Sequence, residues 1–213
     1  GGVLKKRKFK AVQTGGPSGG CIPEELLDLP IDFDSLTQAG SMMGSGGLIV
    51  MDDHTCMVEV ARYYVNFLAG ESCGKCTPCR EGIRALLEIL TRICNGEGRP
   101  EDVEMLEEIS TTMQEASLCA LGRTAPNPVL STLRYFRDEY LAHIEQHKCP
   151  AGVCRNLTTF YIDADACTGC GLCKKQCSVD AIQGEKKETH VIDESLCIRC
   201  GECFRNCAFN AVK

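Results

Sequence analysis

The chain has no uninterrupted apolar stretch approaching the roughly 20 residues that a membrane-spanning helix needs. It also lacks a secretory opening, because the basic start from Gly1 to Lys10 is followed by no apolar h-region. Positive charge is not in excess. The formal net charge of -6 argues against a nucleic-acid partner, and the short basic run KKRKFK (residues 5–10) reads as a solvated edge or turn. No acid/base pair or activated nucleophile stands out, so no catalytic residue is assigned and isolated catalysis is not expected.

Cysteine, by contrast, is abundant: 17 in 213 residues, far above ordinary usage. Such density means a secreted disulfide scaffold or a metal-rich intracellular protein. An odd count and the missing signal favour the second, with thiolate ligands in a reducing cytoplasm.

Four segments follow one another, and the fold class they imply is α+β. Residues 1–47 are glycine-rich with β-like pieces such as FKAVQTGG leading into GLIVMD. GGPSGG and GSMMGSGG are not phosphate loops, since a dinucleotide fingerprint follows a strand and opens a helix, whereas here the glycines precede the apolar run. Residues 48–145 switch to helical periodicity. Met57, Val60, Ala61, Tyr64 and Leu68 give one apolar face, and Ile83, Leu86, Leu87, Leu90 and Ile93 a second. Pro100 with Glu101 and Asp102 predicts a third helix through Val103, Leu106 and Ile109, and Pro128 a fourth through Val129, Leu133, Phe136, Tyr140, Leu141 and Ile144. Short joins between amphipathic helices predict an up-down four-helix bundle. Residues 146–160 form a connector containing CPAGVC, and residues 161–213 hold a duplication: CTGCGLCKKQCSVDAI at 167 returns as CIRCGECFRNCAFNAV at 197.

Each copy reads C-x2-C-x2-C-x3-C, a spacing that wraps three thiolates around an iron–sulfur cube and sends the fourth cysteine to the other cluster. One [4Fe-4S] cluster is expected on Cys167, Cys170, Cys173 and Cys207, and a second on Cys197, Cys200, Cys203 and Cys177. Glycines 171 and 201 allow a tight bend that aims amides at sulfur. Paired zinc knuckles would not need a third and fourth cysteine at these offsets. This segment resembles bacterial-type ferredoxins with two [4Fe-4S] clusters, except that Ser178 and Ala208 replace the proline usual after each fourth cysteine.

In ESCGKCTPCREG three cysteines recur at intervals of three, short of one ligand. The second helix runs away from this loop and the third returns toward it, bringing Cys119 of EASLCALG. A third [4Fe-4S] cluster is thus expected on Cys73, Cys76, Cys79 and Cys119, facing the positive end of a helix dipole. Lys75 and Arg80 would raise its potential if they face it, although solvated surface positions are the simpler account. At the opposite end of the bundle meet the start of the first helix near Cys56, the end of the second at Cys94 and the end of the fourth at His143. CPAGVC follows. Cys56, His143, Cys149 and Cys154 are the expected zinc ligands, with Cys94 and His147 as substitutes, and the site would act as a pivot for the tail. Cys21 has no partner in this scheme and reads as packing.

ESCGKCTPCREG, SLCALG, LDLPIDFDSL, GSGGLIVMD and LRYFRDEY resemble the C-terminal half of the flavin-bearing, NADH-oxidising subunit of complex I. With the ferredoxin-like tail, the similarity is closest to the beta subunit of electron-bifurcating, NAD(P)-linked [FeFe] hydrogenases. The resemblance implies that residues 1–47 are a truncated β-grasp-like segment. It implies FMN and NAD(P) sites in an N-terminal domain or partner with no counterpart here. It further implies, as partners, a catalytic hydrogenase subunit, a small [2Fe-2S] thioredoxin-like subunit and ferredoxin. The same subunit type serves NAD-dependent formate dehydrogenases. From a different class, a zinc-stapled interaction module without redox role is the rival reading.

Overall fold

The structure is a computed structural model that describes residues 2–4 and 7–213; Lys5 and Lys6 of the basic run lie outside the described residues. The glycine-rich opening forms an antiparallel sheet in the order β2-β1-β3, from β1 (Phe9–Thr14), β2 (Gly20–Pro23) and β3 (Leu48–Asp52), with a short helix α1 (Phe33–Gln38) between the last two. Ala11 pairs with Pro23 on one side and Met51 on the other, which sets the register. The Asp32 carboxylate accepts from the Ser35 amide at 2.7 Å and so caps α1. The β1–β2 turn needs small residues: a Cβ on Gly20 would stand 2.3 Å from the Gly40 carbonyl oxygen.

Four long helices follow: α2 (Met57–Glu71), α3 (Thr77–Cys94), α4 (Asp102–Ala116) and α6 (Asn127–Glu145), with a one-turn helix α5 (Ala120–Thr124) between the last two. Pro78 and Pro128 sit in the first turns of α3 and α6, where a missing N–H costs nothing. Their apolar faces bury Ala61, Tyr64 and Leu68; Ile83, Leu86, Leu90 and Ile93; Leu106 and Met113; and Val129, Leu133 and Tyr140. The face of α3 is rotated from the expected one. Ile89 is buried whereas Leu87 is half-buried, because α3 packs against both α2 and α4. Helix α4 starts at Asp102 rather than Pro100, for an electrostatic reason. The fully buried Asp102 carboxylate accepts from the Arg99 amide at 2.9 Å and forms a bidentate pair with Arg92 at the end of α3, locking the turn between them.

The expected join at 47/48 falls inside the sheet, since β3 is its third strand. Sheet and bundle share a core: Ala11, Cys21 and Met51 pack with Met57, against Val60 and Phe136. Polar contacts close the seam, with the Cys21 amide donating to Ser131 Oγ (3.0 Å), Asn127 Nδ2 to the Ser18 carbonyl (2.9 Å) and Tyr135 Oη to the Ala39 carbonyl (2.9 Å). Cys21 itself is buried, donates its thiol to Gln13 Oε1 at 3.0 Å, and has its pKa pushed up to about 12 by burial, in keeping with a packing role.

The chain divides into two units, 1–154 and 155–213. In the second, each half of the duplication contributes a strand to the other. Ile162 bridges Val212, and β4 (Ile182–Gln183) pairs with β5 (Val191–Ile192) through Ile182 and Ile192, the positions equivalent to Val212 and Ile162 at the thirty-residue offset of the copies. Two one-turn helices, α7 (Leu172–Gln176) and α8 (Glu202–Asn206), are each preceded by a left-handed glycine, Gly171 at φ 72° and Gly201 at φ 73°. Phe160, Ile182, Ile192, Cys203 and Val212 form the small core.

Candidate metal centres

All 17 cysteines are unbridged thiols. Eight belong to the duplicated unit, where two cavities take four each. Cys167, Cys170, Cys173 and Cys207 line one; Cys177, Cys197, Cys200 and Cys203 line the other. Each therefore draws three cysteines from one copy and one from the other, the sets expected from spacing. The remaining walls are largely apolar, including Ile162, Leu172 and Phe209 in the first and Phe160, Ile182 and Ile198 in the second. Backbone amides point at sulfur: Ala181 N to Cys177 Sγ and Ala211 N to Cys207 Sγ, both 3.2 Å, and Arg199 N to Cys197 Sγ at 3.4 Å. Burial raises the Cys173 thiol and pushes Cys203 up to about 11. Burial also opposes ionisation of Cys207, but amides of Val212, Ala211, Phe209 and Asn210 outweigh it and lower its pKa. Thiolate acceptors with amide donors in an apolar cup suit an anionic iron–sulfur cluster.

The bundle loop places Cys76 at the N-cap of α3 and Cys79 one turn inside, and Cys119 at the N-cap of α5. Cys79 is raised by burial and then by the fields of Cys76, Cys119 and Cys73, while its sulfur meets Ser72 Oγ at 3.3 Å. Cys76 is lowered, first by the Leu118 amide beside Cys119 and then by that of Cys79. The return of α4 thus brings the distant cysteine to this loop. Two further features fit a bound cluster. Ser117 Oγ is buried without a hydrogen-bond partner. Gly122 leaves a cradle: a Cβ there would stand 2.7 Å from Ser117 Oγ and 3.0 Å from Cys79 Cβ. Neither Ser117, Gly122 nor helix α5 was singled out in the sequence, although a glycine three residues after Cys119 was the available signal. Arg80 donates to the Gly74 carbonyl (2.7 Å) and pairs with Glu81 (2.9 Å), and Lys75 is exposed.

A fourth group is of another kind. Among the described residues, Cys56, His143, Cys149 and Cys154 are the one group of such side chains whose ligand atoms all lie within 4.8 Å of one another, and all four are buried. Cys56 Sγ is 3.8 Å from Cys154 Sγ and 3.3 Å from His143 Nε2. Tetrahedral zinc, with Zn–S near 2.3 Å, requires ligand atoms about 3.5–3.8 Å apart. His143 Nδ1 donates to the Glu139 carbonyl at 2.6 Å, which leaves Nε2 as the ligand nitrogen. The amides of Val153 and Cys154 donate to Cys149 Sγ (3.4 and 3.5 Å). The Cys154 thiol, then that of Cys56, donates toward Cys149 and holds it far below the usual thiol range, at the expense of Cys56 and Cys154, which are raised. The donor set fits one zinc ion. Cys94 hydrogen-bonds Cys154 from outside the quartet, and His147, exposed at φ 47°, does not join it. Fifteen helical steps from Cys79 to Cys94 put these two positions about 22 Å apart.

No helix is long and apolar enough to cross a membrane among the described residues. Residues 59–143 match the NADH-ubiquinone oxidoreductase-F iron–sulfur binding region, and residues 166–211 a 4Fe-4S dicluster domain. The chain is 50% identical over 190 residues to the NADP-reducing hydrogenase subunit HndC of Solidesulfovibrio fructosivorans, covering 89% of this chain and 39% of that protein. It is 49% identical over 150 residues to an F-type NADH-quinone oxidoreductase subunit of Rhizobium meliloti (strain 1021), covering 70% of this chain and 36% of the relative. A solved NAD+-reducing [NiFe]-hydrogenase, in the H2-reduced state, superposes with a TM-score of 0.59 at 32% identity, over 65% of this chain and 24% of that one. The chain thus spans under two fifths of the length of the relatives it matches. Taken with the cysteine geometry, these matches assign residues 59–143 to the NADH-ubiquinone oxidoreductase-F iron–sulfur binding region and residues 166–211 to the 4Fe-4S dicluster domain, regions that the chain shares with subunits of NADH-quinone oxidoreductases and of an NADP-reducing hydrogenase.

Proposed function

We propose that this chain is the wiring of an NAD(P)-linked, electron-bifurcating hydrogenase, carrying three [4Fe-4S] clusters and one zinc ion. Cys73, Cys76, Cys79 and Cys119 would hold one cluster, Cys167, Cys170, Cys173 and Cys207 the second, and Cys177, Cys197, Cys200 and Cys203 the third. Cys56, His143, Cys149 and Cys154 would hold zinc. When bound, the clusters supply one-electron transfer, and the zinc a redox-inert crosslink between the bundle and the turn after α6.

The chain's own residues place, shield and bias these groups. Apolar side chains line much of the two cavities of the duplicated unit, and amides at Ala181, Arg199 and Ala211 stabilise thiolate charge. The N-terminus of α3 does the same for the loop of Cys76 and Cys79. FMN and NAD(P) would be bound elsewhere, electrons passing between that flavin and a catalytic hydrogenase subunit or ferredoxin, with a small [2Fe-2S] thioredoxin-like subunit as a further partner. A formate dehydrogenase would use the same wiring with a different catalytic subunit.

The observation that carries this reading is the crossed lining of the two cavities, three cysteines from one copy and one from the other. Its test is anaerobic quantification of iron, sulfide and zinc with redox-titrated EPR. About twelve irons, by four per cubane, and one zinc per chain are expected. A folded, colourless sample without acid-labile sulfide would overturn it and leave the zinc-stapled interaction module.

A further inference from the structure

Duplication makes the second unit its own control, because a position where the copies differ is a substitution compared within one molecule. Seven residues before the first cysteine of each copy stand Phe160 and His190. Both are buried, at 5% and 2% exposure. Phe160 lines the cavity of Cys177, Cys197, Cys200 and Cys203, and His190 that of Cys167, Cys170, Cys173 and Cys207. The rings face equivalent glycines. A Cβ on Gly201 would stand 3.3 Å from Phe160 Cζ, and one on Gly171 would stand 3.8 Å from His190 Nε2.

The neighbourhoods differ in the same sense. Phe160 packs on Phe204, centroids 5.8 Å apart. Thirty residues earlier the counterpart of Phe204 is Lys174, whose Nζ donates to the Gly184 carbonyl at 2.9 Å. Gly184 in turn lies against the imidazole, where a Cβ would fall 2.9 Å from His190 Cγ. His190 Nδ1 donates to the Glu188 carbonyl at 3.0 Å, which fixes the ring with its Nε2 edge toward Gly171. One cavity is therefore walled by a benzyl ring that packs on a second ring. The other has an imidazole lying against Gly184, whose carbonyl accepts from the Lys174 ammonium.

We infer that the Phe160/His190 difference sets the two clusters of the duplicated unit at different reduction potentials, the one at Cys167, Cys170, Cys173 and Cys207 being reduced more readily. The inference rests on the cluster reading above. Reduction adds negative charge to a site already surrounded by four thiolates. A polar edge and a nearby cation stabilise that added charge better than hydrocarbon does, and such surroundings are among the factors that set cluster potentials. The pair would then be directional, with the electron resting on the His190 side. His190 acts here as a positioning residue for charge, not as a ligand.

The experiment is redox-titrated EPR of the full chain, prepared anaerobically with iron and sulfide counted. H190F installs the residue that the fold already carries at the equivalent place. It is expected to lower the more positive of the pair's two reduction steps by about 59 mV, a tenfold change in electron sharing. F160H is expected to raise the other step by a similar amount, and the double exchange to reopen the gap. The step of the bundle cluster should stay fixed throughout. Unmoved steps in H190F with full iron, or movement of the lower step instead, would overturn the inference. Should H190F lose iron, F160H decides alone, an unmoved lower step counting against it. Wild-type protein without iron would instead fall on the cluster reading, so the two failures are distinguishable.

Discussion

The buried quartet at the end of the bundle and the cysteine cavities of the duplicated unit use the same atoms in opposite ways. In the quartet, ligand atoms from the N-cap of α2, from α6 and from the following turn crowd within 4.8 Å, with sulfur 3.8 Å from sulfur, a spacing that leaves room for one ion. In the cavities, four cysteines line a largely apolar cup, three from one motif and one from the other, the arrangement that a cubane cluster requires. Sequence spacing also separates them. The cavity cysteines come in close-set motifs, whereas Cys56 and His143 lie 87 residues apart. Close-set thiolates can wrap one face of a cube; widely spaced ones become a site only when helices bring them together.

Breaking one crossed ligand tests the comparison hardest. Cys177→Ala should remove about four of twelve irons, and should disturb the EPR signal of the cluster held by Cys197, Cys200 and Cys203 while sparing that of its own motif. Loss of the signal from the Cys167 cavity instead would show that each motif keeps its own fourth cysteine. Cys149→Ser should release one zinc per chain and leave iron unchanged, lowering stability by several kcal/mol because metal affinity here is folding energy. Metal analysis and thermal unfolding with and without chelator check both halves, and iron loss would refute the division of roles.

Smaller effects sharpen the contrast. Glu139 serves the quartet from behind: its carbonyl accepts from His143, its carboxylate from the Met57 amide (3.1 Å), and it pairs with Lys10 of β1 at 2.5 Å. Glu139→Gln should cost about 2 kcal/mol, since it removes a charge from a largely buried pair while keeping the acceptor for Met57. Denaturant titration measures it, and an unchanged midpoint would mean that the pair is energetically idle. The smallest effect is a gain. Arg199 sits at φ 55° where the other copy has Gly169 at φ 65°. Arg199→Gly should relieve about 1 kcal/mol of left-handed strain, partly offset by extra freedom of the unfolded chain. A slightly higher unfolding temperature is the expected readout, and a lower one would count against the strain.

Much of this was legible because the signals are local. The C-x2-C-x2-C-x3-C copies named both sets of cavity cysteines, since ligand spacing along a short loop is itself the geometry. The helical faces were mostly legible from three/four periodicity. The places that were missed depend on partners. Ile89 replaces Leu87 in the core because α3 has neighbours on two sides, and α4 begins at Asp102 because that carboxylate answers Arg92 and the Arg99 amide. Residues 48–52 join the sheet because β1 pairs them, a choice that their own apolar run does not make.

The sequence alone determined which thiols stand together within a motif, the duplication of the tail, and the amphipathic stripes that drive four helices to pack. Spacing and period act over a few residues and survive in any context. The order and direction of the helices already pointed to the return of Cys119 and to the meeting of Cys56, His143, Cys149 and Cys154; only the tertiary structure decided that those four close to ion-sized separation while Cys94 stays outside, and that Phe160 and His190 face different cavities. Those outcomes depend on which helix ends and strands meet, and such meetings are fixed by burial summed over the whole core, not by any one segment.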